Sequence, residues 1–192
     1  MVRRTVGLFG GTFDPPHLGH VAAARAALDA LALDELVVTV ANDPQLKDPP
    51  VAAAPLRLAM ARAAFEAIDR VVVSDLELRR GGPTYTLDTV EALLAASPED
   101  ALVLVVGADA AASLGSWHRA AELASLVTVA VVPRPGGGGE EPEGFSVREV
   151  PMAPVDLSST GVRAALARGE DPSRLVPEGV VHILVENRLY AP

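Results

Sequence analysis

Alternating stretches of apolar and polar residues predict strands and helices in regular succession. Apolar runs that are typical of strands cover 5–9, 36–41, 71–73, 102–106, 127–132 and 147–150. Apolar residues at helical spacing follow Leu18, Pro55 and Thr86 and recur near 162–166 and 178–186. Runs without a polar interruption suit parallel strands that helices cover on both sides. We therefore predict an α/β protein with one doubly wound parallel sheet, helices on both faces and a C-terminal helical segment, in a single domain over residues 1–192.

Proline, glycine and hydroxyl residues indicate where these elements begin and end. Asp14-Pro15-Pro16 is turn chemistry that a helix cannot continue through, so the first helix should begin near 18–20. Pro55 suits the first turn of the next helix, and Thr86 is a suitable N-cap for the one after it. We expect loops at 42–54 and 79–83, and at the glycine-rich, acidic patch 136–143, to which we assign no chemistry.

Composition and charge exclude several classes of protein. With 192 residues and 49% apolar content the chain can bury a sizeable core, and the absence of cysteine excludes disulfides and thiolate metal sites. Nothing resembles a signal peptide or a membrane span, so we expect a cytoplasmic protein without a membrane partner. The formal net charge of −9 argues against a nucleic-acid partner, because such proteins usually carry a basic face. The sequence leaves the oligomeric state open, a homo-oligomer included.

The stretch 7–20, GLFGGTFDPPHLGH, ends a strand in glycines and brings two histidines to the start of a helix. Gly10 and Gly11 let a ligand approach the backbone closely, and His17 and His20 are three positions apart, so they project to the same side. Unpaired N–H groups and the positive end of the helix dipole make such a helix start suitable for phosphate. The alternative, that the histidines only cap the helix, is less expected for a pair that follows a strand and a glycine turn.

A second phosphate-binding element is predicted late in the chain. Residues 158–160, Ser-Ser-Thr, place hydroxyls at a helix start, and Arg163 follows about one turn later. The alternative is plain N-capping beside a solvated arginine. The glycine pattern GxGxxG does not follow any strand, and Asp48 after the only lysine, Lys47, excludes a Walker loop. The site must therefore hold phosphate with other groups.

Three further segments are candidates for substrate contacts. Asp109 follows the strand 102–106 and can accept hydrogen bonds from ribose hydroxyls, or cap the next helix. Trp117, the only tryptophan, can stack on a planar ring or pack in the core. The segment 82–86, GPTYT, begins a helix whose N–H groups favour a carboxylate over a neutral amide. It could instead be a simple capped helix with Tyr85 packed against the sheet.

These motifs together resemble those of a known enzyme family. GGTFDPPHLGH is similar to the HxGH signature of the nucleotidyltransferase superfamily, and more narrowly of bacterial nicotinate mononucleotide adenylyltransferases. LSSTGVR at 157–163 resembles the family's ISSTxIR motif, while GPTYT, Gly107-Ala108-Asp109 and Ser116-Trp117-His118 resemble its substrate-binding segments. The resemblance implies a Rossmann-like sheet that binds ATP and nicotinate mononucleotide.

The resemblance also implies roles for individual residues. ATP would contact Gly10, Gly11, Thr12, Phe13, His17, Gly19, His20, Gly107, Asp109, Ser158, Ser159, Thr160 and Arg163. Nicotinate mononucleotide would contact Thr12, Lys47, Tyr85, Thr86, Asp109, Trp117 and Arg134, with its ring stacked on the tryptophan. Catalysis would rest on His17, His20 and Arg163. The loop 42–50 departs from the family pattern, because Asn42-Asp43 adds an acid near the acceptor and Lys47 keeps the basic position only approximately.

The implied reaction is adenylyl transfer. The 5′-phosphate of nicotinate mononucleotide would attack the α-phosphorus of ATP in line, releasing pyrophosphate and giving nicotinate adenine dinucleotide for NAD biosynthesis. No protein nucleophile is needed, so positioning and neutralisation of charge would carry catalysis. We infer Mg²⁺ from the phosphate chemistry, without a ligand set, and Asp14 and Asp109 are helpers at best.

Three alternative functions stay open. Another nucleotidyltransferase could use nicotinamide mononucleotide, phosphopantetheine or a sugar or lipid phosphate, although Tyr85, Thr86 and Trp117 argue against these acceptors. A regulatory protein could bind nucleotide without catalysis, although the chain keeps both histidines and the late arginine. A fragment of a class I aminoacyl-tRNA synthetase has a similar HIGH motif, but its lysine-rich second motif is impossible in a chain with one lysine.

Overall fold

Six parallel strands form the central sheet of the protein in the computed structural model, which describes residues 3–45, 49–133 and 142–191. The strands among these residues are, in chain order, β1 (Thr5–Gly11), β2 (Glu35–Val40), β3 (Asp43–Pro44), β4 (Val71–Ser74), β5 (Pro83–Thr84), β6 (Ala101–Gly107), β7 (Val127–Val132) and β8 (Ser146–Glu149). The two shortest strands, β3 and β5, pair with each other outside the central sheet. The six predicted strands are thus confirmed, and the short ladder is an addition.

Among the described residues, the helices predicted after Leu18, Pro55 and Thr86 and near 162–166 and 178–186 are confirmed, and those at 76–80, 108–112 and 120–126 are additions. They are α1 (Leu18–Ala30), α2 (Ala54–Phe65), α3 (Leu76–Arg80), α4 (Thr86–Ala96), α5 (Ala108–Ala112), α6 (Ala120–Leu126), α7 (Ser159–Ala167) and α8 (Glu178–Glu186). Short 3₁₀ turns cover Leu114–Ser116 and Pro172–Arg174. Pro55 lies in the first turn of α2, where its missing N–H costs no helical hydrogen bond. Within the described residues no helix is long and apolar enough to cross a membrane.

Side chains of the strands alternate between two apolar clusters, one on each face of the sheet. Along β2, Leu36 and Val38 join the cluster that α1, α2, α7 and α8 cover, whereas Val37 joins the cluster that α4, α5 and α6 cover. Because both faces are buried, these strands have apolar residues at consecutive positions. The predicted α/β sheet with helices on both faces is confirmed.

The order of the strands places a crevice beside β1. The sheet runs β4-β2-β1-β6-β7-β8, so the chain first builds outward from β1 through β2 to β4 and then crosses to β6 on the other side of β1. In doubly wound sheets, ligands bind beyond the carboxyl ends of the strands at such a switch point. The ends of β1 and β6, at Gly11 and Gly107, are therefore expected to border the site.

Three local predictions were wrong. Arg79 and Arg80 belong to α3 rather than to a loop, because the polypeptide completes one more helical turn after β4. Tyr85, not Thr86, is the N-cap of α4, since its extended backbone (φ −116°, ψ 133°) leads from β5 into a helix that already includes Thr86. The predicted loop 42–54 contains β3, and its last residue begins α2.

Candidate active site

The turn between β1 and α1 holds the two predicted histidines. His17 is the N-cap of α1 with an extended backbone, and its side chain is buried. Its N–H donates a hydrogen bond to Nδ1 of His20 at 3.1 Å, and the two imidazole rings stack with centroids 3.7 Å apart. The histidines therefore do cap the helix. This capping is compatible with phosphate binding, because it fixes the direction of the His20 ring at the helix start.

The same hydrogen bond decides the tautomer of His20. Because Nδ1 accepts a hydrogen bond from the backbone N–H of His17, it cannot carry a proton itself in this arrangement. The imidazole is then neutral, with its proton on Nε2. His20 can donate a hydrogen bond to a phosphate oxygen through Nε2–H without becoming positively charged.

Two glycines of this turn are required by close packing. A Cβ on residue 19 would lie 3.0 Å from Nδ1 of His17, and a Cβ on residue 11 would lie 2.9 Å from the ring of Phe13. That ring is buried and packs edge-on against Phe65, with centroids 5.7 Å apart. The predicted contact of Phe13 with a nucleotide can therefore come only from its backbone. Gly10 is exposed and Thr12 is half-buried at the same end of β1.

Helix α7 packs directly on this turn. Ser159 Oγ donates a hydrogen bond to the carbonyl oxygen of Pro15 at 2.9 Å, and Arg163 Nη1 donates one to the carbonyl oxygen of Asp14 at 2.8 Å. These partners are 144 and 149 positions apart in the sequence. The two segments that were predicted to bind phosphate thus meet at one site.

The three hydroxyls at the start of α7 have different surroundings. Ser158 is the N-cap, and its Oγ accepts a hydrogen bond from the N–H of Gly161 at 3.1 Å. Ser159 attaches the helix to the turn, as described above. Thr160 is exposed, and its Oγ1 lies 3.4 Å from Nη2 of Arg163. The N-capping alternative therefore holds for Ser158, while Thr160 and Arg163 present adjacent polar groups that could share one anion.

Asp14 is the residue on which most side-chain hydrogen bonds of the turn converge. Its side chain is 3% exposed, and its carboxylate accepts hydrogen bonds from the N–H groups of Val51 at 2.7 Å and Ala52 at 3.0 Å. The hydroxyl of Tyr190 donates a third, at 2.5 Å. Burial, together with this bond to a carboxylate, raises the pKa of Tyr190. Arg163 Nη1 lies 3.8 Å from the same carboxylate.

Arg57 joins the ends of β1 and β2, and the sequence analysis missed it. Its side chain is 1% exposed, and Nη1 donates hydrogen bonds to the carbonyl oxygens of Thr12 at 2.8 Å and Ala41 at 2.7 Å. Nε donates to the carbonyl oxygen of Ala52 at 3.1 Å. Burial lowers the pKa of the guanidinium, because the charged form is taken out of water.

A signal for this buried arginine is present in the sequence. Residue 57 lies on the same face of α2 as the buried residues Met60, Ala61 and Ala64, at spacings of three, four and seven. A charged residue on the apolar stripe of a helix is either misplaced or bonded to buried acceptors. Here it is bonded to the backbone carbonyl oxygens of Thr12, Ala41 and Ala52.

The first residues of the loop that departs from the family pattern, 42–44, lie beside the segment 82–86. The N–H groups of Asn42 and Asp43 donate hydrogen bonds to Oγ1 of Thr84 at 3.0 and 3.2 Å. Nδ2 of Asn42 donates to the carbonyl oxygen of Gly82 at 2.9 Å. With the pairing of β3 and β5, these bonds fix the entry to α4, so Asn42 has a structural role that the sequence analysis did not foresee.

Aromatic residues meet at the start of α4. The ring of Tyr85 lies against His118 in a tilted arrangement, with centroids 4.3 Å apart and an interplanar angle of 30°. Trp117 is half-buried against the cluster under α4 to α6, and its Nε1 donates a hydrogen bond to Oγ of Ser113 at 3.1 Å. The predicted acceptor residues Tyr85 and Trp117 are thus brought together through His118, which had no predicted role. The alternative that Trp117 packs in the core therefore holds for only part of the side chain, because the rest of it is exposed to solvent.

The remaining predicted residues have different outcomes. Gly107 ends β6, and Asp109 is exposed in the first turn of α5, so both lie at the edge of the sheet where β1 also ends. Lys47 and Arg134 lie outside the described residues, as does most of the patch 136–143. Within the described residues, no group of three or more His, Cys, Asp or Glu side chains is arranged to hold a metal ion.

A buried carboxyl group lies behind the start of α4. Glu77 of α3 is 4% exposed, and its Oε1 accepts a hydrogen bond from Oγ1 of Thr89 at 2.9 Å. Burial raises the pKa of Glu77, whereas the bond from Thr89 opposes that change. Arg80 lies close by, with its guanidinium 3.4 Å from the same hydroxyl. This cluster holds α3 against α4.

The arrangement described above is accompanied by similarity to known proteins. The cytidylyltransferase-like family matches residues 8–165. A probable nicotinate-nucleotide adenylyltransferase of Exiguobacterium sibiricum is 40% identical over 186 residues, which cover 97% of this chain and 98% of that protein. The chain belongs to the nicotinate-nucleotide adenylyltransferase family. Another relative in this family, from Bordetella avium, is 38% identical over 199 residues, covering 98% of this chain and 99% of its own.

Solved structures share the fold of this nicotinate-nucleotide adenylyltransferase family member. Plasmodium falciparum nicotinic acid mononucleotide adenylyltransferase complexed with NaAD aligns with a TM-score of 0.80 and 17% identity, covering 98% of both chains. The same enzyme complexed with APC gives a TM-score of 0.77 and 16% identity, again covering 98% of both chains. The doubly wound sheet is therefore common to proteins whose sequences have diverged widely.

Proposed function

We propose that this protein transfers the adenylyl group of ATP to nicotinate mononucleotide, giving nicotinate adenine dinucleotide and pyrophosphate in NAD biosynthesis. Full-length relatives at 38–40% identity carry the name of this activity. The α-phosphorus of ATP is attacked in line by the 5′-phosphate of the mononucleotide, and the bond to pyrophosphate breaks. The protein supplies no nucleophile, so its contribution is geometry and charge.

One observation carries the proposal: the attachment of Ser159 and Arg163 to the carbonyl oxygens of Pro15 and Asp14. This attachment holds the guanidinium beside the glycine turn and the start of α1. A helix N-terminus, an imidazole and a guanidinium then act on the same small volume, which is a suitable environment for a triphosphate.

The residues of the turn have separate tasks in this mechanism. His20, neutral and protonated on Nε2, donates a hydrogen bond to a phosphate oxygen, and its direction is fixed by the backbone of His17. Arg163 neutralises charge that grows on the leaving pyrophosphate. The exposed hydroxyl of Thr160 accepts a hydrogen bond from that guanidinium and donates its own hydrogen to the leaving pyrophosphate. Donors that are held in place before the reaction need no rearrangement when charge develops in the transition state.

Mg²⁺ enters this proposal as part of the substrate. Asp14, the acidic residue of the turn, already accepts three hydrogen bonds from the protein. Magnesium commonly binds nucleotides through phosphate oxygens and water, with few protein ligands. We therefore treat magnesium–ATP as the species that binds, with the metal held by the triphosphate.

The acceptor is recognised at the start of α4 and beside Trp117. The first N–H groups of α4 have no partner within the helix and favour a negative carboxylate over a neutral carboxamide. The bonds from Asn42 and Asp43 to Thr84 fix the segment that leads into this helix. The exposed part of Trp117 stacks on the pyridine ring. Nicotinate mononucleotide is accordingly preferred over nicotinamide mononucleotide.

A coupled assay of pyrophosphate release tests the proposal. The protein is incubated with ATP, Mg²⁺ and either nicotinate or nicotinamide mononucleotide, and chelation of the metal serves as the control for its role. Turnover with nicotinate mononucleotide, and a kcat/KM at least about tenfold lower with nicotinamide, is the expected result, since one hydrogen bond to a charged group is worth about 1.5–3 kcal/mol. ATP binding by calorimetry without turnover of either acceptor would favour a regulatory protein instead.

A further inference from the structure

The segment after α8 returns to the turn between β1 and α1. Helix α8 ends at Glu186, and the chain then reverses through left-handed backbone conformations at Arg188 (φ 49°) and Tyr190 (φ 58°). Leu189 packs against the apolar cluster on that face of the sheet. This path brings the hydroxyl of Tyr190 to 2.5 Å from Oδ1 of Asp14, across 176 positions of sequence.

Asp14 offers two attachment points to Arg163. Nη1 of the guanidinium is 2.8 Å from the carbonyl oxygen of Asp14 and 3.8 Å from Oδ2 of its carboxylate. The carboxylate is 4% exposed, whereas the arginine side chain is 28% exposed. At present the guanidinium is hydrogen-bonded to the neutral carbonyl and lies beyond hydrogen-bond distance from the charged oxygen. That geometry leaves much of its charge available to a ligand.

The carboxylate of Asp14 is held in place by three hydrogen-bond donors. The N–H groups of Val51 and Ala52 donate to one oxygen each, and the hydroxyl of Tyr190 adds a second donor to Oδ1. A carboxylate that lost this donor would attract the nearest cation more strongly, because a buried charge is stabilised only by its partners. Among the described residues, the guanidinium of Arg163 lies 3.8 Å from this carboxylate, and the buried guanidinium of Arg57 also acts on it electrostatically.

We infer that Tyr190 is a positioning residue for ATP, which satisfies the carboxylate of Asp14 and so leaves Arg163 available for the triphosphate. This inference rests on the proposed function for the identity of the nucleotide. The phenol suits the task, because a tyrosine hydroxyl is protonated at neutral pH and can donate, and burial beside the carboxylate raises its pKa further. The residue itself does not touch the substrate.

The substitution Tyr190→Phe tests this inference, because it removes one hydroxyl and keeps the ring. The KM for ATP is expected to rise about tenfold, with the KM for the mononucleotide changing less than about twofold, since a hydrogen bond to a charged group controls about 1.5–3 kcal/mol. Val180→Ala serves as a matched control, because Val180 is fully buried in α8 and its truncation lowers the melting temperature without touching Asp14. An equal rise in the KM for ATP in both variants would reduce Tyr190 to a stabilising residue.

A double-variant cycle then tests the route through Arg163. ATP affinity is measured by calorimetry, without an acceptor, for the wild type, Tyr190→Phe, Arg163→Ala and the double variant. Without the guanidinium, loss of the hydroxyl should change ATP affinity by less than about twofold, compared with about tenfold in the wild-type background. Additive effects would overturn the inference. Because this readout needs no turnover, it stays informative even if the proposed acceptor is wrong.

Discussion

The two halves of the candidate site are built in different ways. The phosphate half, from the glycine turn to α7, is held by bonds between residues 144 to 176 positions apart, most of them directed to backbone carbonyls or to one buried carboxylate. The acceptor half, around β3, β5 and the start of α4, is held by bonds across about 40 positions and by one aromatic pair.

This difference suggests that each half sets a different kinetic quantity. Phosphate chemistry needs donors that do not move while charge develops, and buried long-range bonds provide such rigidity. Recognition of a flat ring and a carboxylate tolerates small adjustments of exposed side chains. We therefore expect substitutions in the phosphate half to lower kcat and those in the acceptor half to raise the KM for the mononucleotide.

The largest effect should come from Arg57, which joins the ends of β1 and β2. Arg57→Leu leaves the carbonyl groups of Thr12, Ala41 and Ala52 without their charged donor. Because each unsatisfied buried group costs about 1–3 kcal/mol, we expect the free energy of unfolding to fall by about 3–5 kcal/mol in urea titrations. Arg62→Leu on the same helix, where the side chain is exposed, is the control and should change it by less than about 0.5 kcal/mol. An equal loss of unfolding free energy in Arg57→Leu and Arg62→Leu would mean that the hydrogen bonds of Arg57 do not stabilise the fold.

His20→Ala should damage the phosphate half alone. Loss of one fixed donor to the transition state is expected to lower kcat about 100-fold or more, with little change in the KM for the mononucleotide. Steady-state kinetics check this, and His182→Ala, at an exposed histidine of α8, provides the matched control with expected normal turnover. Turnover close to the wild-type rate would remove His20 from the mechanism.

Trp117→Ala should damage the acceptor half alone. Stacking of an aromatic side chain on a base contributes about 1–3 kcal/mol, so the KM for the mononucleotide should rise about tenfold while the KM for ATP stays within about twofold. Trp117→Phe keeps a ring against the same apolar cluster and should recover most of the affinity. If the mononucleotide KM does not move in Trp117→Ala, the indole is only a packing residue.

The smallest effect concerns Glu77 behind the acceptor half. Because burial raises its pKa above the ordinary value of 4.5, the folded state holds a proton that the unfolded chain has released. This contribution to stability is complete below pH 4.5 and is lost as pH rises through the raised pKa. Glu77→Gln should therefore gain melting temperature relative to the wild type as pH increases over that window, by about 2–4 °C. For Glu66→Gln, at an exposed position, the difference in melting temperature from the wild type should not depend on pH. If the difference for Glu77→Gln is equally independent of pH, the pKa of Glu77 is not raised.

Much of the fold could be predicted from local sequence patterns, but the long-range hydrogen bonds that hold the site together could not. Apolar runs, Pro55 and the hydroxyls at 158–160 marked strands and helix starts, because these signals depend on neighbours in sequence. Tyr190 could not be assigned, since its hydrogen bond to Asp14 depends on how α8 packs. Arg57 was detectable from its place on a buried helix face, whereas the tautomer of His20 required the geometry of the turn.

The attachment of α7 to the glycine turn has a consequence for folding while the chain is being synthesised. A growing chain can form β1, α1 and β2 early, yet it has no Arg163 or Ser159 to place on the turn until all six strands of the central sheet have been synthesised. Contacts of such long sequence separation form late in folding. Nucleotide capture is therefore a property of the finished protein, so ATP binding can serve as a reporter of completed folding on the ribosome.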